Sequence, residues 1–400
     1  MRRVSGRGGL GGALAGAALL AGAALLAGCG TQTAPAPSPG VPAVAGSLST
    51  SLVTAQGSWA IIPMAANPAF WQVFVRPSAQ AGWRLVTPPG VADNGGLVAA
   101  DTGRSLTVVF RPSQTLKFSP LAVTGNAGRS WAPGLIDADV ASAPDALAAS
   151  GGHMLTLLQD GTVLTSADSG THWTVLASAH AVADTAAGGR CALTGISAVA
   201  FGPSGAPMVA GRCTSAGAAG VFSYAGGTWQ ATPPALPPGA SAGHMQVIRM
   251  AGSPNGLGLL LQVTSGQTER LYAEWAPGPG GAAGAGGAAA GAGGAAAARW
   301  TVSGPLSLAG GEPTASGFGS SGTAWVLLPG GHAWTADRGS WRALPSVPSG
   351  TAVLAHGPGG AIDALAADGS KLTAWRLAPP ATVWSKVQTI VVPIQYGSSG

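Results

Sequence analysis

The chain has 400 residues, of which only 8% are charged, with 65 glycines, 31 prolines and a formal net charge of +5. Typical soluble domains carry about 25% charge, so any folded surface here must be built mostly from Ser, Thr, Gly, Ala and Gln. Arg2, Arg3 and Arg7 supply the excess: without these three the 19 basic residues fall to 16 against 14 acidic ones, and no Lys/Arg run remains to carry the phosphate contacts on which nucleic-acid binding depends.

In chain order, Met1-Arg2-Arg3 and Arg7 precede an apolar Gly/Ala/Leu run over residues 10–26, which ends in Leu26-Ala27-Gly28-Cys29. A basic segment, a short apolar segment and small residues make a secretion signal over residues 1–28, too early and too Gly-rich for the usual membrane span. Its last four residues resemble a bacterial lipobox. That resemblance implies that Cys29 becomes the first mature residue and carries lipid such as palmitate on its sulfur. The protein is then held on the extracytoplasmic face of the cell membrane. The export route, general secretory or twin-arginine, is left open by the residues after Arg3. Residues 29–46 continue from that cysteine without a charge or an aromatic ring, a Pro/Ala-rich tether that cannot bury enough apolar surface to offset its ordering entropy.

From residue 47 to 396 short β-branched and apolar runs alternate with turn dipeptides such as Asp160-Gly161, Gly330-Gly331 and Asp368-Gly369, and no helical periodicity of useful length occurs after residue 30. Four strand-sized runs per unit emerge, at residues 51–56, 58–64, 70–75 and 83–87 in the first unit and 97–101, 106–110, 118–124 and 131–136 in the second. The third is clearest, at 145–150, 154–159, 162–166 and 173–177. Further units span 196–236, 245–306, 313–345 and 351–386. The fifth is interrupted over residues 277–298 by a Gly/Ala insertion with no charge and no large apolar side chain, expected as a disordered loop. A last β-branched run, 388–394, is expected to add one more strand that closes the assembly against the opposite terminus.

Each unit carries a small-residue turn followed by Trp, at Trp83, Trp131, Trp173, Trp229, Trp300, Trp341 and Trp384, with successive spacings of 48, 42, 56, 71, 41 and 43. The fullest turn, Ser166-Ala167-Asp168-Ser169-Gly170-Thr171-His172-Trp173, reads S-x-D-x-G-x-x-W and resembles the Asp-box of the BNR or sialidase-type β-propellers. The resemblance implies a structural role: Asp168 accepts backbone hydrogen bonds, Gly170 adopts positive φ, and Trp173 packs between sheets while Ser166 ends the preceding strand. With a period of roughly 40–50 residues, the expected fold is all-β, a seven-bladed propeller of four-stranded blades, with a β-sandwich array as the alternative.

Cys191 and Cys213 lie in one unit, the first before its innermost strand and the second at the end of the next, so a hairpin would bring them together as a disulfide in an exported protein. Neither has a His or Cys at ligand spacing, and the six histidines are dispersed, so no metal site and no cofactor is expected. Among the residues a sialidase would need, the resemblance implies an arginine set, a Tyr–Glu pair and an acidic residue. Phe110-Arg111-Pro112 and Phe74-Val75-Arg76-Pro77 only approximate the motif that carries the first arginine. Glu269 and Tyr272 are a candidate pair that reads equally as a hairpin end. Gly239-Ala240-Ser241-Ala242-Gly243 matches a nucleophile elbow in letters but follows a Pro-rich connection instead of a strand.

No catalytic residue is assigned. The leading expectation is a monomeric, lipid-anchored scaffold that binds an envelope protein or glycan. The alternative is a sialidase-like glycosidase at the channel mouth, which convergence of Arg76, Arg111 and other arginines on a carboxylate would favour.

Overall fold

The computed structural model describes residues 49–53, 57–64, 71–78, 80–88, 97–101, 105–110, 117–137, 143–234, 237, 240–253, 256–278, 300–319, 322–337 and 339–393. Cys29, the signal segment, the tether and residues 394–396 lie outside them, as does most of the Gly/Ala insertion.

The chain folds as successive antiparallel meanders. The first comprises β1 (Ser49–Val53), β2 (Ser58–Pro63), β3 (Trp71–Arg76) and β4 (Arg84–Leu85); the second β5 (Leu97–Asp101), β6 (Leu106–Phe110), β7 (Ser119–Thr124) and β8 (Ala132–Ile136). The third is β9 (Pro144–Ser150), β10 (His153–Leu158), β11 (Thr162–Ser166) and β12 (Thr174–Ser178), and the fourth β13 (Leu193–Phe201), β14 (Pro207–Cys213), β15 (Gly220–Ala225) and β16 (Thr228–Ala231). β17 (His244–Ser253), β18 (Gly256–Ser265) and β19 (Thr268–Pro277) follow, with the short β20 (Thr301–Val302) and β21 (Leu306–Ser307) both on β19. Then come β22 (Ala315–Phe318), β23 (Ala324–Leu328), β24 (His332–Ala336) and β25 (Trp341–Ala343), and finally β26 (Thr351–His356), β27 (Ile362–Asp368), β28 (Lys371–Leu377) and β29 (Ser385–Val391).

Side-chain burial explains why these segments become these strands. The second strands, such as SWAIIP in β2, LTVVF in β6 and HMLTLL in β10, are buried along almost their whole length, because a strand sandwiched between two neighbouring sheets needs apolar side chains on both faces. The outer strands β8 and β12 are largely exposed. One apolar cluster lies between each meander and the next: Trp59, Ile61, Val73 and Val75 meet Leu106 and Val108 between the first two, and Leu155, Leu157 and Val163 meet Ile196 and Val199 between the third and fourth. The largest joins the sixth and last meanders to the first through Trp325, Leu354, Leu365 and Phe74. The fold is a β-propeller.

The ladders join these meanders into five sheets because two of them bridge. β1 runs parallel to β22, with Ser49 opposite Ala315 and Ser51 opposite Gly317, giving the strand order β25-β24-β23-β22-β1-β2-β3-β4. β14 pairs β17 at Arg212–Gln246 and Cys213–Met245.

The structure corrects three expectations. The run 388–394 is not an additional closing strand: its described part belongs to β29, the outer strand of the last meander, paired with β28 from Arg376–Ser385 to Lys371–Val391. The turn before Trp384 places Ser385 opposite Arg376, so residues 388–391 complete the fourth strand. Pro277 ends β19 and is not part of the insertion. Two helices, α1 (Ala179–Ala183) and α2 (Ala186–Cys191), occupy the connection from β12 to β13. They are too short to show periodicity, and are set by capping side chains: Ser178 Oγ accepts from Ala181 N at 3.1 Å and Thr185 Oγ1 from Gly188 N at 3.0 Å. Their buried Val182, Ala187 and Cys191 extend the cluster between the third and fourth meanders.

Candidate functional site

The turn joining β11 to β12 has the bonding that its residue types require. Ser166 Oγ donates to Asp168 Oδ1 at 2.8 Å and accepts from Gly170 N at 2.9 Å; Asp168 Oδ1 also accepts from Thr171 N at 3.1 Å and His172 N at 2.9 Å. His172 Nδ1 lies 2.6 Å from Asp168 Oδ2. These contacts hold the Asp168 carboxyl well below the usual carboxylate range, the His172 backbone bond contributing most, then the His172 and Ser166 side chains. Ser169 and Gly170 take positive φ of 60° and 87°, and a Cβ on Gly170 would come within 3.2 Å of Met154 Sδ. Trp173 Nε1 donates to Gly170 O at 3.0 Å.

The degenerate turn before Trp131 repeats this circuit almost bond for bond. Thr124 Oγ1 replaces Ser166, donating to Asn126 Oδ1 at 3.0 Å and accepting from Gly128 N at 3.0 Å, and Asn126 Oδ1 accepts from Ser130 N at 2.9 Å. Ala127 and Gly128 repeat the positive φ pair at 58° and 73°. The turn before Trp341 has one residue fewer between Gly and Trp, and there Asp337 Oδ1 instead accepts from Thr323 Oγ1 at 2.5 Å. In the first two turns the Ser or Thr hydroxyl and the Asp or Asn oxygen are spent on backbone N–H groups of the turn itself.

A second polar constellation joins the first and last meanders. Asp363 on β27 is fully buried, and its carboxylate accepts from Arg76 Nη1 at 2.7 Å, Arg376 Nε at 2.7 Å, Arg376 Nη2 at 3.1 Å and Trp83 Nε1 at 3.0 Å. Arg76 Nη2 donates to Ser58 Oγ at 3.0 Å and to the carbonyl of His356, which also accepts from Ser58 Oγ at 3.0 Å. The Arg76 guanidinium stands 5.3 Å from the centroid of the Trp83 ring, a cation–π arrangement. Beside it the Gln388 amide brackets the Trp83 backbone, accepting from N and donating to O, each at 2.8 Å. Burial pushes Arg76 below its ordinary pKa against the opposing pull of Asp363, whereas the hydrogen bond to Asp363 raises that of Arg376, which retains a quarter of its side-chain exposure.

Arg76 and Arg376 therefore do converge on a carboxylate, as glycosidase chemistry would ask. The convergence is sealed: Asp363 has no exposed surface, its Oδ2 accepts from Arg76, Arg376 and Trp83, and its Oδ1 accepts from Arg376. Such a carboxylate fixes structure and cannot reach a substrate. Arg111 lies outside the described residues. Glu269 and Tyr272 do not form a site, since three positions apart on β19 they fall on opposite faces, and Tyr272 is buried at 2% exposure. Ser241 sits in a short 3-10 turn, Ala240–Ala242, that leads into β17, the reverse of the strand-to-helix order an elbow needs.

Cys191 and Cys213 are disulfide-bonded, with Cα atoms 5.1 Å apart. Leu193 opposite Cys213 in the β13–β14 ladder brings them together, and the bond ties the end of α2 to β14. Among the described residues no three His, Cys, Asp or Glu side chains group as metal ligands, and no helix is long and apolar enough to cross a membrane.

No protein-family model matches the chain, and no curated protein is similar to it in sequence. Solved structures are similar in fold. A protein from Lactobacillus plantarum, 10% identical, aligns over 84% of this chain and 96% of its own with a TM-score of 0.50. YCF48 bound to D1 peptide is 15% identical over 86% of this chain and 95% of its own, with a TM-score of 0.44. The WD40 β-propeller domain of Doa1 is 8% identical over 80% and 89%, with a TM-score of 0.41. At these identities the likeness concerns the path of the chain, and it leaves this protein a β-propeller whose function must be argued from its own residues.

Proposed function

We propose that the chain is an exported, lipid-anchored β-propeller, held to the membrane through Cys29, that acts as a monomeric binding scaffold for a partner at the cell envelope. The observation that carries this reading over a glycosidase is the closed state of the Arg76–Asp363–Arg376 cluster. The arginine–carboxylate convergence is consumed in joining the ends of the ring, so the blades serve as a frame and the loops between strands carry recognition. Residues 1–28 act as the signal, and the tether lets the propeller stand off the bilayer.

Two measurements test this. Mass spectrometry of the N-terminal peptide from membranes should find Cys29 as the first residue, bearing acyl chains, and Cys29→Ser should release the protein from the membrane fraction; an unmodified Cys29 would overturn the anchor. Capture of envelope components by the full chain, run beside turnover of a fluorogenic glycoside panel that includes sialosides, separates the functions. A saturable partner without turnover supports the scaffold. Turnover lost on substituting an exposed carboxylate establishes the enzyme instead.

A further inference from the structure

The last meander ends in a strand whose free side can still pair. β29 lies at the edge of its sheet, and among the described residues no strand pairs with its outer side. It has seven residues, whereas the described outer strands of the other meanders have two to five. Pro133 also withholds a donor from β8. The register shift between Ala374 and Trp375 makes Val387 the extra residue of a bulge, and beyond it the ladder is regular. Val392 N donates to Ser370 O at 2.7 Å, and this bond fixes the phase. Residues 388, 390 and 392 turn their N–H and C=O toward β28, so Thr389 and Val391 turn theirs outward. The side chains of Thr389 and Val391 are exposed. On the other face Gln388 brackets Trp83 and Ile390 packs against the largest apolar cluster. The edge therefore offers two N–H and two C=O groups in strand alternation, held rigid from behind.

We infer that this edge binds an extended peptide segment of a partner protein as a fifth, antiparallel strand of the last meander, with β-branched residues beside Thr389 and Val391 and an acidic residue beside Lys386. Donors and acceptors in this alternation are matched by another strand, and antiparallel pairing continues the meander. Charge places the acidic residue. Lys386 lies opposite Trp375 and Lys371 opposite Val391, both on the face that carries Thr389, and the carboxylate in register with them is Asp368, opposite Lys371. Lys386 is thus the cation left at its end of the edge. A second copy of this chain is the weaker occupant. Seven residues span about 24 Å and a sheet is about 10 Å through, so two such edges would meet over about 240 Å² each, against roughly 800 Å² per partner in a stable association. A peptide escapes this limit because its side chains can fold over both faces of the sheet, which two rigid rings cannot do. The inference deepens the scaffold reading by naming the partner's chemistry, and it rests on that reading.

The test uses the full chain and a synthetic peptide that alternates valine and threonine, with a glutamate near its C-terminal end, the end an antiparallel strand brings to Lys386. In the free protein hydrogen exchange should be fast at the Thr389 and Val391 amides and slow at Ile390. Saturating peptide should slow the first two and leave the third unchanged. Peptides N-methylated at alternate residues should bind in one phase and fail in the other. Thr389→Pro removes an outward donor and spares the bonds to β28; it should keep a cooperative thermal transition and weaken the peptide about tenfold. Lys386→Glu should weaken it too, and a lysine in place of the peptide's glutamate should restore binding. Equal binding by parent and Thr389→Pro, equal binding of the two methylated peptides, or protection away from Thr389 and Val391 overturns the inference. So does protection of Thr389 that grows with protein concentration in the absence of peptide, which would make a second copy the occupant. Should Thr389→Pro fail to fold, the exchange pattern and the methylated pair still decide. Envelope capture by a parent that binds no peptide would strike this edge and leave the broader scaffold reading standing.

Discussion

Two polar staples hold this propeller, and they differ in range. The circuit around Asp168 is local and, apart from the buried Ser166–Gly170 bond, lies at the surface: every bond in it joins residues no more than four positions apart. The cluster around Asp363 is buried and reaches across the chain, with Arg76 and Asp363 separated by 287 positions. Exposed polar contacts exchange water for protein at little net gain, so the first staple sets a turn. Removing one member of the second strands a charge in a dry interior, so it governs whether the ring closes.

The sharpest way to break the comparison is Asp363→Asn, which leaves Arg76 buried without its counter-ion and should cost about 3–5 kcal/mol, read from denaturant unfolding. Arg76→Met with Asp363→Leu should recover much of that loss, because an apolar pair of similar volume avoids the desolvation of both ions. Failure of the double variant to recover would show that the cluster is not acting as a unit. Second in size is the disulfide: Cys191→Ala/Cys213→Ala should lower stability by about 3 kcal/mol, with amide exchange rising first in α1 and α2. On the local staple, Gly170→Ala forces a Cβ into positive φ and toward Met154, for about 1–2 kcal/mol, and should leave the last meander untouched by hydrogen exchange.

The smallest effect is in pH. The His356 ring is mostly buried, and desolvation lowers its pKa despite the nearby Asp337. The folded state then resists protonation that the unfolded chain accepts at about 6.5. Its contribution to stability is complete above that value and falls as pH drops below it, until the folded-state pKa is reached. His356→Gln should remove this slope. Asp168 behaves as a depressed carboxylate. Its stabilisation is present above the unfolded value of about 3.9 and is lost only as pH falls through the lower folded value, so the turn should survive acid that weakens His356. Amide exchange at Thr171 and His172 across pH 3–7 would follow the one while thermal midpoints follow the other.

What could be read in the sequence tracks the same division. The Asp168 turn, the third meander to within two residues at each strand end, and the pairing of Cys191 with Cys213 were legible because the determining residues sit close together or on one hairpin. The Asn126 turn was legible only as a degenerate copy, although its bonds match. The Asp363 cluster was not legible. Arg76 read as a candidate for the channel mouth because its letters resemble a catalytic motif, and nothing near it names Asp363, Arg376 or His356 as partners. The two short helices escaped because five and six residues carry no period.

The parallel pairing of β1 with β22 has a bearing on how the chain is made. The first of the described strands to be synthesised, β1, lies at the middle of an eight-stranded sheet, and its neighbour on one side is not made until residue 315 has been added. Arg76 waits longer still for Asp363 and Arg376. Meanders in the middle of the chain can mature during synthesis, while the first must remain open on one side for most of it, with Ile62, Met64 and Phe74 lacking their final cover. Such late, long-range closure is slow and leaves apolar strands vulnerable to other chains. Among the described meanders, the first should therefore be the most protease-sensitive in a nascent chain truncated before residue 376.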